Sequence, residues 1–223
     1  QTRLTFARVG IIDPLDPVDF VAHGGLAGLQ QALVKTSESI IDEVTASGLR
    51  GRGGAGFPAA IKWRAVAQAQ SDIKYICINA DEGDSGTFAD RVLMEGDPFT
   101  LIEGMAISAI ATGATHGYIY IRSEYPDAIA VMNAALDIAR EHTWIGPAIL
   151  GSHHAFEITV RVGAGSYVCG EETAMLESLE GKRGMVRPKP PIPALSGLFG
   201  KPTVINNVMT IAAVPYILAH GGD

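Results

Sequence analysis

Cysteine is scarce in this sequence, and the two residues present, Cys77 and Cys169, are too far apart to form a Cys-x-x-Cys pair. Zinc ribbons and iron–sulfur clusters need several cysteines at short spacings, so we expect this chain alone to bind neither. Each cysteine lies among small or apolar residues, which favours two buried thiols over a disulfide. The six histidines, including His153-His154, have no metal-ligand spacing, and we predict no metal site.

Basic charge and long apolar runs are also lacking. Lysine and arginine number 17 against 24 acidic residues, a net charge of −7, which argues against binding nucleic acid phosphates or an acidic membrane surface. The apolar run 105–111 is too short to cross a bilayer, and the run 208–218 is interrupted by Pro215. With no visible signal peptide, we expect a soluble cytoplasmic protein that binds no nucleic acid and does not insert into a membrane.

The sequence is rich in apolar residues, and patterns typical of helices and strands alternate along it. Hydrophobic residues make up 47% of the chain and charged residues only 18%, which is typical of a globular domain. We predict strands over residues 74–79, 117–122 and 156–162, and helices over 26–34, 38–46, 59–70, 97–113, 123–141 and 171–179. This alternation predicts an α/β fold, a layered and mostly parallel sheet flanked by helices.

The segments 1–25 and 182–202 do not follow this alternation of helices and strands. Residues 1–25 contain Asp13-Pro14 and Asp16-Pro17 and predict an irregular arm, so we place the folded domain at residues 26–223. A loop rich in proline and lysine is predicted over 182–202, after which Asn206 or Asn207 caps a last helix. Because the chain starts at Gln1 and stops soon after an apolar run, we interpret it as a piece of a longer polypeptide.

The densest glycine segment, residues 51–56, fits the pattern G-x-G-x-x-G. Glycines let backbone N–H groups approach a phosphate, and the helix that follows offers its positive N-terminal end. A Rossmann loop would follow a strand, whereas a helical pattern precedes this one, so we predict an atypical anion-binding loop. The alternative is a tight connection between two helices. Lys62, one turn into the next helix, is placed to neutralise a phosphate.

Acidic residues follow two of the predicted strands. Asp81, Glu82 and Asp84 come after the first strand, and Glu171 and Glu172 follow a second glycine-rich turn at 163–170. Open α/β sheets bind ligands at the carboxyl ends of their strands, and carboxylates there accept hydrogen bonds from sugar or ribityl hydroxyls and amides. The alternative is ordinary capping of turns and helices. We predict that both glycine turns and the acidic strand end converge on one slot.

Several segments together resemble a known family. They are 47–58 (SGLRGRGGAGFP), 62–63 (KW), 79–83 (NADEG), 86–88 (GTF), 163–173 (GAGSYVCGEET), 176–181 (LESLEG), 189–191 (KPP) and 206–207 (NN). In this order they resemble the FMN-binding, NADH-oxidising subunit of respiratory complex I. The family also includes diaphorase subunits of NAD-reducing hydrogenases and β subunits of NAD-dependent formate dehydrogenases. Segments 82–88, 122–126 and 197–202 look most like the formate dehydrogenase β subunit.

The resemblance implies a set of site residues. Those expected to hold FMN are Gly51, Arg52, Gly53, Lys62, Asn79, Asp81, Gly170, Glu171, Asn206 and Asn207. Those expected near NAD(H) are Phe57, Glu82, Asp84, Glu172 and Lys189, and those expected beside the reacting rings are Glu82, Tyr167 and Glu172. The chain departs from the family at Ala65 and Ile192, where aromatic residues usually contact the adenine, and at Asp84, a shorter acid than usual.

The resemblance also implies a function. Hydride is expected to pass between the nicotinamide and the flavin N5, and single electrons to pass to or from iron–sulfur clusters. A 4Fe-4S cluster is expected in a domain that follows a ubiquitin-like domain beyond residue 223. A small 2Fe-2S subunit and a larger catalytic subunit are the expected partners. Two alternatives of other classes are a regulatory nucleotide-binding module without redox activity and a flavin-free dehydrogenase.

Overall fold

A computed structural model describes residues 3–222 and shows a four-stranded parallel sheet flanked by helices. The strands are β1 (Tyr75–Ala80), β2 (His116–Ile121), β3 (Glu157–Val162) and β4 (Thr203–Asn207). They lie in the order β3-β2-β1-β4, and every neighbouring pair is parallel. The predicted fold class is confirmed.

The helices of the described range pack around this sheet. They are α1 (Pro17–Ala22), α2 (Ala27–Leu33), α3 (Ser37–Ala46), α4 (Ala59–Gln68), α5 (Ala89–Gly96), α6 (Pro98–Thr112), α7 (Pro126–Glu141), α8 (Glu172–Leu179), α9 (Pro193–Ser196), α10 (Val208–Ala212) and α11 (Val214–His220).

The strand order places the ends of β1 and β4 side by side. From β1 the chain crosses to β2 and then β3 on one side, and afterwards returns to the opposite side of β1 as β4. Asn79, near the end of β1, is in register with Asn207, the last residue of β4. In open parallel sheets the point where the order reverses is where the loops diverge and ligands bind. The fold therefore opens a crevice beside the carboxyl ends of β1 and β4.

Helix α6 forms the centre of the main core. All of its 15 residues are buried, and Gly104 on it packs so closely on α10 that a methyl group there would overlap the Ile211 carbonyl oxygen. The helix begins as predicted, with the Asp97 side chain accepting a hydrogen bond from the N–H of Thr100, and it ends at Gly113 in a left-handed conformation. No helix in the described range is long and apolar enough to span a bilayer.

A buried carboxylate on α6 caps a helix far away in the sequence. The Glu103 oxygens accept hydrogen bonds from the N–H groups of Leu26 (3.1 Å) and Leu29 (3.0 Å) at the start of α2. Burial raises the pKa of Glu103 to about 7, against the lowering effect of these two N–H groups. Helix α2 has no side-chain cap of its own, so its first turn depends on α6.

The structure differs from the sequence predictions at four elements. The N-terminal arm is not wholly irregular, because α1 forms within it and Phe20 packs 5.3 Å from Phe99, between ring centroids. Helix α5 and strand β4 were not predicted, and the predicted loop 182–202 contains the short helix α9. Both asparagines belong to β4, and Asn207 is the one that caps the next helix, accepting a hydrogen bond from the Met209 N–H (2.9 Å).

Candidate functional site

A cavity of about 940 Å³ lies beside the carboxyl ends of β1 and β4. The predicted site residues that line it are Gly51, Arg52, Gly53, Phe57, Lys62, Asn79, Glu82, Asp84, Tyr167, Gly170, Glu171, Glu172, Lys189, Asn206 and Asn207. Both glycine turns and the acidic strand end therefore face one slot, as the sequence predicted. Asp81 is not part of the wall. Its carboxylate lies behind Gly83 and Gly170, 3.3 Å and 3.4 Å from the position of a Cβ built on each glycine.

The first glycine loop connects α3 to α4 and is fixed at its base. The N–H of Gly51 donates to the Phe57 carbonyl oxygen (2.8 Å), and the N–H of Arg52 donates to the Thr210 hydroxyl on α10 (2.9 Å). Gly54 and Gly56 have φ values of +109° and +61°, which other residues rarely adopt. Within the described chain, the N–H groups of residues 53–56 meet no protein acceptor, so they remain available to an anion.

Two lysines and one glutamate form an ion cluster across the cavity. The Glu172 carboxylate lies 3.1 Å from the Lys62 ammonium and 2.6 Å from the Lys189 ammonium. Burial acts to raise the pKa of Glu172, but the hydrogen bond from Lys189 and the charge of Lys62 outweigh it and hold that pKa below its ordinary value. Glu172 is therefore ionised at neutral pH. Lys189 also lies 3.6 Å from the Glu171 carboxylate, so with Glu171 included the cluster pairs two lysines with two glutamates.

Glu82 caps α5 rather than pointing freely into the cavity. It adopts a left-handed conformation, with φ +38°, and its carboxylate accepts hydrogen bonds from the N–H groups of Asp90 (2.8 Å) and Arg91 (3.1 Å). The Tyr125 hydroxyl donates a third hydrogen bond, at 3.1 Å. The capping alternative thus describes Glu82 well, although its side chain still contributes to the wall.

Glu171 is also a helix cap. One of its carboxylate oxygens accepts hydrogen bonds from the N–H groups of Thr173 (2.8 Å) and Ala174 (2.9 Å) at the start of α8. Asp84 has a different partner, the hydroxyl of Tyr167 at 2.9 Å, and this pair joins the two loops at the mouth of the cavity. Glu82 and Glu171 therefore cap helices, whereas the side chains of Asp84 and Glu172 remain directed at the cavity.

Asparagine side chains link the strand ends to the surrounding loops. Asn79 donates to the Gly170 carbonyl oxygen (2.8 Å), which ties the end of β1 to the second glycine turn. Asn206 accepts a hydrogen bond from the indole N–H of the buried Trp63 (3.0 Å). Behind Asn79, burial raises the pKa of Asp81, and the Arg122 charge opposes that rise. These contacts fix the floor of the cavity.

Several other wall residues were not named as site residues from the sequence, although Gly54, Ala55, Gly56 and Val168 lie in the two predicted glycine turns. They are Gly54, Ala55, Gly56, Gly83, Thr87, Ala89, Asp90, Val168, Ile205 and Met209. Asp90 is the most consequential, since it is a buried carboxylate on the unpredicted helix α5. Two residues noted as departures from the family lie elsewhere: Ala65 packs against the core, and Ile192 is an exposed residue preceding α9.

The described residues contain no metal-binding cluster and no disulfide. Within residues 3–222 no group of three or more histidine, cysteine, aspartate or glutamate side chains is arranged to hold a metal ion. Cys77 and Cys169 are both buried and form no disulfide, as the sequence predicted. The cavity offers hydrogen-bond donors, two lysines and several carboxyl groups.

Comparison with known proteins identifies a single family. The model of the Nuo51 FMN-binding domain matches residues 44–216. The NADP-reducing hydrogenase protein HndC of Solidesulfovibrio fructosivorans is 49% identical over 100% of this chain and 45% of its own length. An F subunit of the NADH-quinone oxidoreductase of Rhizobium meliloti is 54% identical over 91% of this chain and 48% of its own length. The chain thus spans about half the length of these relatives.

A solved structure agrees with the family match. The crystal structure of an NAD⁺-reducing [NiFe]-hydrogenase in the H2-reduced state superposes with a TM-score of 0.83 at 36% identity. It covers 100% of this chain and 36% of the hydrogenase chain. The same parallel sheet and flanking helices are therefore found in a much longer polypeptide.

Proposed function

This chain belongs to the family of Nuo51 FMN-binding domains, and from that premise we propose that it binds FMN and NAD(H) in the cavity beside β1 and β4 and catalyses hydride transfer between them. The observation that carries the proposal is the convergence of two glycine turns, the acidic end of β1 and the end of β4 on one cavity. When bound, FMN supplies a ring that exchanges electron pairs with a nicotinamide and single electrons with iron–sulfur clusters.

The residues present fit a flavin nucleotide. A Cβ added to Gly53 would be in van der Waals contact with the Asn207 Cβ, at 3.4 Å, and the absence of a side chain leaves this space for a phosphate. The proposed donors for that phosphate are the free N–H groups of this loop together with the side chains of Arg52 and Lys62. We assign the ribityl chain to Asn79, Asn206 and Asn207, whose side chains can accept and donate hydrogen bonds, and to the Asp81 carboxylate, which accepts them from its place behind Gly83 and Gly170.

The ring and the nicotinamide are assigned to the part of the cavity lined by the second glycine turn and the loop after β1. We propose that Tyr167, Gly170 and Glu171 border the flavin ring and that Phe57, which is 45% exposed, stacks on the adenine. Glu82, Asp84, Glu172 and Lys189 are the proposed neighbours of the dinucleotide. Glu82, Tyr167 and Glu172 are placed nearest the reaction, where they would orient the rings and exclude water.

The wider protein is proposed from its relatives. HndC is named as part of a hydrogenase, and the Rhizobium meliloti relative as part of an NADH-quinone oxidoreductase. We propose that residues 26–223 form the FMN- and NAD(H)-binding unit of a cytoplasmic hetero-oligomer. In it, a 4Fe-4S cluster in the remainder of the polypeptide, a 2Fe-2S subunit and a larger catalytic subunit would complete the electron path.

The parent complex is a separate question. The relatives named above favour a complex I or a hydrogenase module, whereas segments 82–88, 122–126 and 197–202 favour an NAD-dependent formate dehydrogenase. Purification of the native complex followed by mass spectrometry of its components would discriminate among them. A molybdenum or tungsten protein would support formate oxidation, a nickel–iron protein would support a hydrogenase, and membrane proteins would support complex I.

The proposed activity has a direct test. The full-length protein, loaded with FMN and freed of oxygen, should lose its yellow flavin absorbance when NADH is added. A protein that binds FMN without bleaching would support a regulatory nucleotide-binding module instead. A protein that oxidises NADH with an organic substrate and no flavin would support a flavin-free dehydrogenase, and either result would contradict the proposal.

A further inference from the structure

A carboxylate that is not among the predicted site residues lies against the cavity. Asp90, in the first turn of α5, is 3% exposed, and it forms part of the wall beside Asn207. Its Oδ2 accepts a hydrogen bond from the Asn207 Nδ2, at 2.7 Å. A buried carboxylate at a ligand cavity is costly to retain, so its contact with a wall side chain points to a role in the site.

The carboxamide of Asn207 is fixed at both ends. Its Oδ1 accepts a hydrogen bond from the Met209 N–H (2.9 Å), while its Nδ2 donates to Asp90. Turning the amide over would set the Nδ2 against an N–H donor and the Oδ1 against a carboxylate, and both hydrogen bonds would be lost. The amide therefore has one orientation, in which its second N–H has no acceptor within the described chain.

Asp90 is itself held in place by the loop that precedes α5. Its backbone N–H donates to the Glu82 carboxylate (2.8 Å) in the loop after β1. Asp90 thus connects the end of β1 to the end of β4 through one residue of α5. We propose that Asp90 is a positioning residue: it fixes the Asn207 amide so that Asn207 offers an N–H donor, and not an oxygen, to the FMN bound in the cavity. This inference rests on the proposed function.

The protonation state of Asp90 does not alter this role. Burial raises the pKa of Asp90 to about 7, and the Glu82 carboxylate adds to the rise, while the Asn207 amide and the Met209 N–H oppose it. An ionised and a protonated carboxyl group both retain an oxygen that accepts the Asn207 N–H. An uncharged amide at this position can therefore replace the carboxylate.

The test compares FMN affinity among variants of the full-length protein, measured by quenching of flavin fluorescence. Asp90→Ala, which removes the acceptor, should raise the FMN dissociation constant about tenfold. Asp90→Asn should stay within about threefold of the wild type, because it keeps an acceptor. Glu95→Ala, on the same helix but paired with Arg91 at the surface, serves as the matched control and should bind FMN like the wild type.

A double-mutant cycle separates positioning from mere support of the fold. In an Asn207→Ala background, Asp90→Ala should cause no further loss of affinity, because Asp90 acts through Asn207. A full additional loss in that background would overturn the proposal, and so would wild-type affinity in Asp90→Ala.

If Asp90→Ala fails to fold, a double variant takes its place in the test. The exchange Asp90→Asn with Asn207→Asp keeps the hydrogen bond between the two positions and the cap on Met209, but turns a carboxylate toward the cavity. It should fold and bind FMN at least about tenfold more weakly; unchanged affinity would refute the inference. If the wild-type protein itself does not bind FMN, the proposed function fails. That outcome is distinct from weaker or unchanged FMN binding by the double variant.

Discussion

At the scale of single residues, the ammonium of Lys62 is the strongest candidate for contact with a phosphate. It lies on the first turns of α4, faces the cavity and pairs with Glu172 at 3.1 Å. We predict that Lys62→Ala raises the FMN dissociation constant about 10- to 100-fold, because a hydrogen bond to a charged group contributes more than a neutral one. Equilibrium titration with FMN measures this effect.

A matched lysine variant controls for the loss of surface charge. Lys201 pairs with Asp72 at 2.6 Å and is not part of the cavity wall, so Lys201→Ala should leave the dissociation constant unchanged. Equal affinities in the two lysine variants would contradict the assignment of Lys62.

The buried Glu103 makes a prediction about pH. Its pKa in the folded protein is about 7 against an ordinary 4.5, so between these values the folded state binds more protons than the unfolded state. The free energy of unfolding should therefore fall as pH rises from about 4.5 to 7, by at most about 1.4 kcal/mol per pH unit from this group, and level off above 7. Urea unfolding of wild type and Glu103→Gln across this range tests it, since the variant should lack this contribution.

At the scale of elements, those with local signals were predicted and those with distant partners were missed. Helix α6 has its own cap, a proline at its start and a terminal glycine, and all three are visible in the sequence. Helix α5 has no side-chain cap at Phe88, because its cap is Glu82, at the far end of the loop 81–88 that precedes the helix. A cap that far away leaves no mark beside the helix that it stabilises.

Strand β4 was missed for a related reason. It is five residues long, follows Pro202 and ends in two asparagines, a residue type that is depleted in strands. Its pairing with β1 supplies the backbone partners that its own sequence does not indicate. The glycine turns and the acidic end of β1 were recognisable because their composition is unusual, whereas the Asp90 contact depended on both missed elements.

The close contact between α6 and α10 predicts that a larger residue at Gly104 destabilises the fold. A methyl group at Gly104 would meet the Ile211 backbone, which cannot move without shifting α10. We predict that Gly104→Ala lowers the free energy of unfolding by about 1–3 kcal/mol, despite the better helix propensity of alanine. Gly96→Ala on α5 is the control, because it would meet only the Val9 side chain. A larger loss for the control, measured in urea, would contradict the packing argument.

At the scale of the whole molecule, the cavity joins segments that lie far apart in the chain. Its walls come from residues 51–57, 79–90, 167–172 and 205–209, with Lys62 and Lys189 between them. A ligand that bridges them should stabilise the entire fold, by about 2.7 kcal/mol at a concentration 100 times its dissociation constant. We predict a clear rise in melting temperature with FMN. Riboflavin, which lacks the phosphate, should give a much smaller rise, and equal rises would argue against phosphate binding by the glycine loop.

The position of β4 also governs when this protein can acquire its ligand. Strand β1 has β4 as one of its two neighbours, yet β4 leaves the ribosome more than 120 residues after β1. Until then one side of β1 is an open edge, of the kind that attracts stray strands during synthesis. We therefore expect flavin to bind only after residue 209 has been translated, because residues 205–209 complete the wall of the cavity.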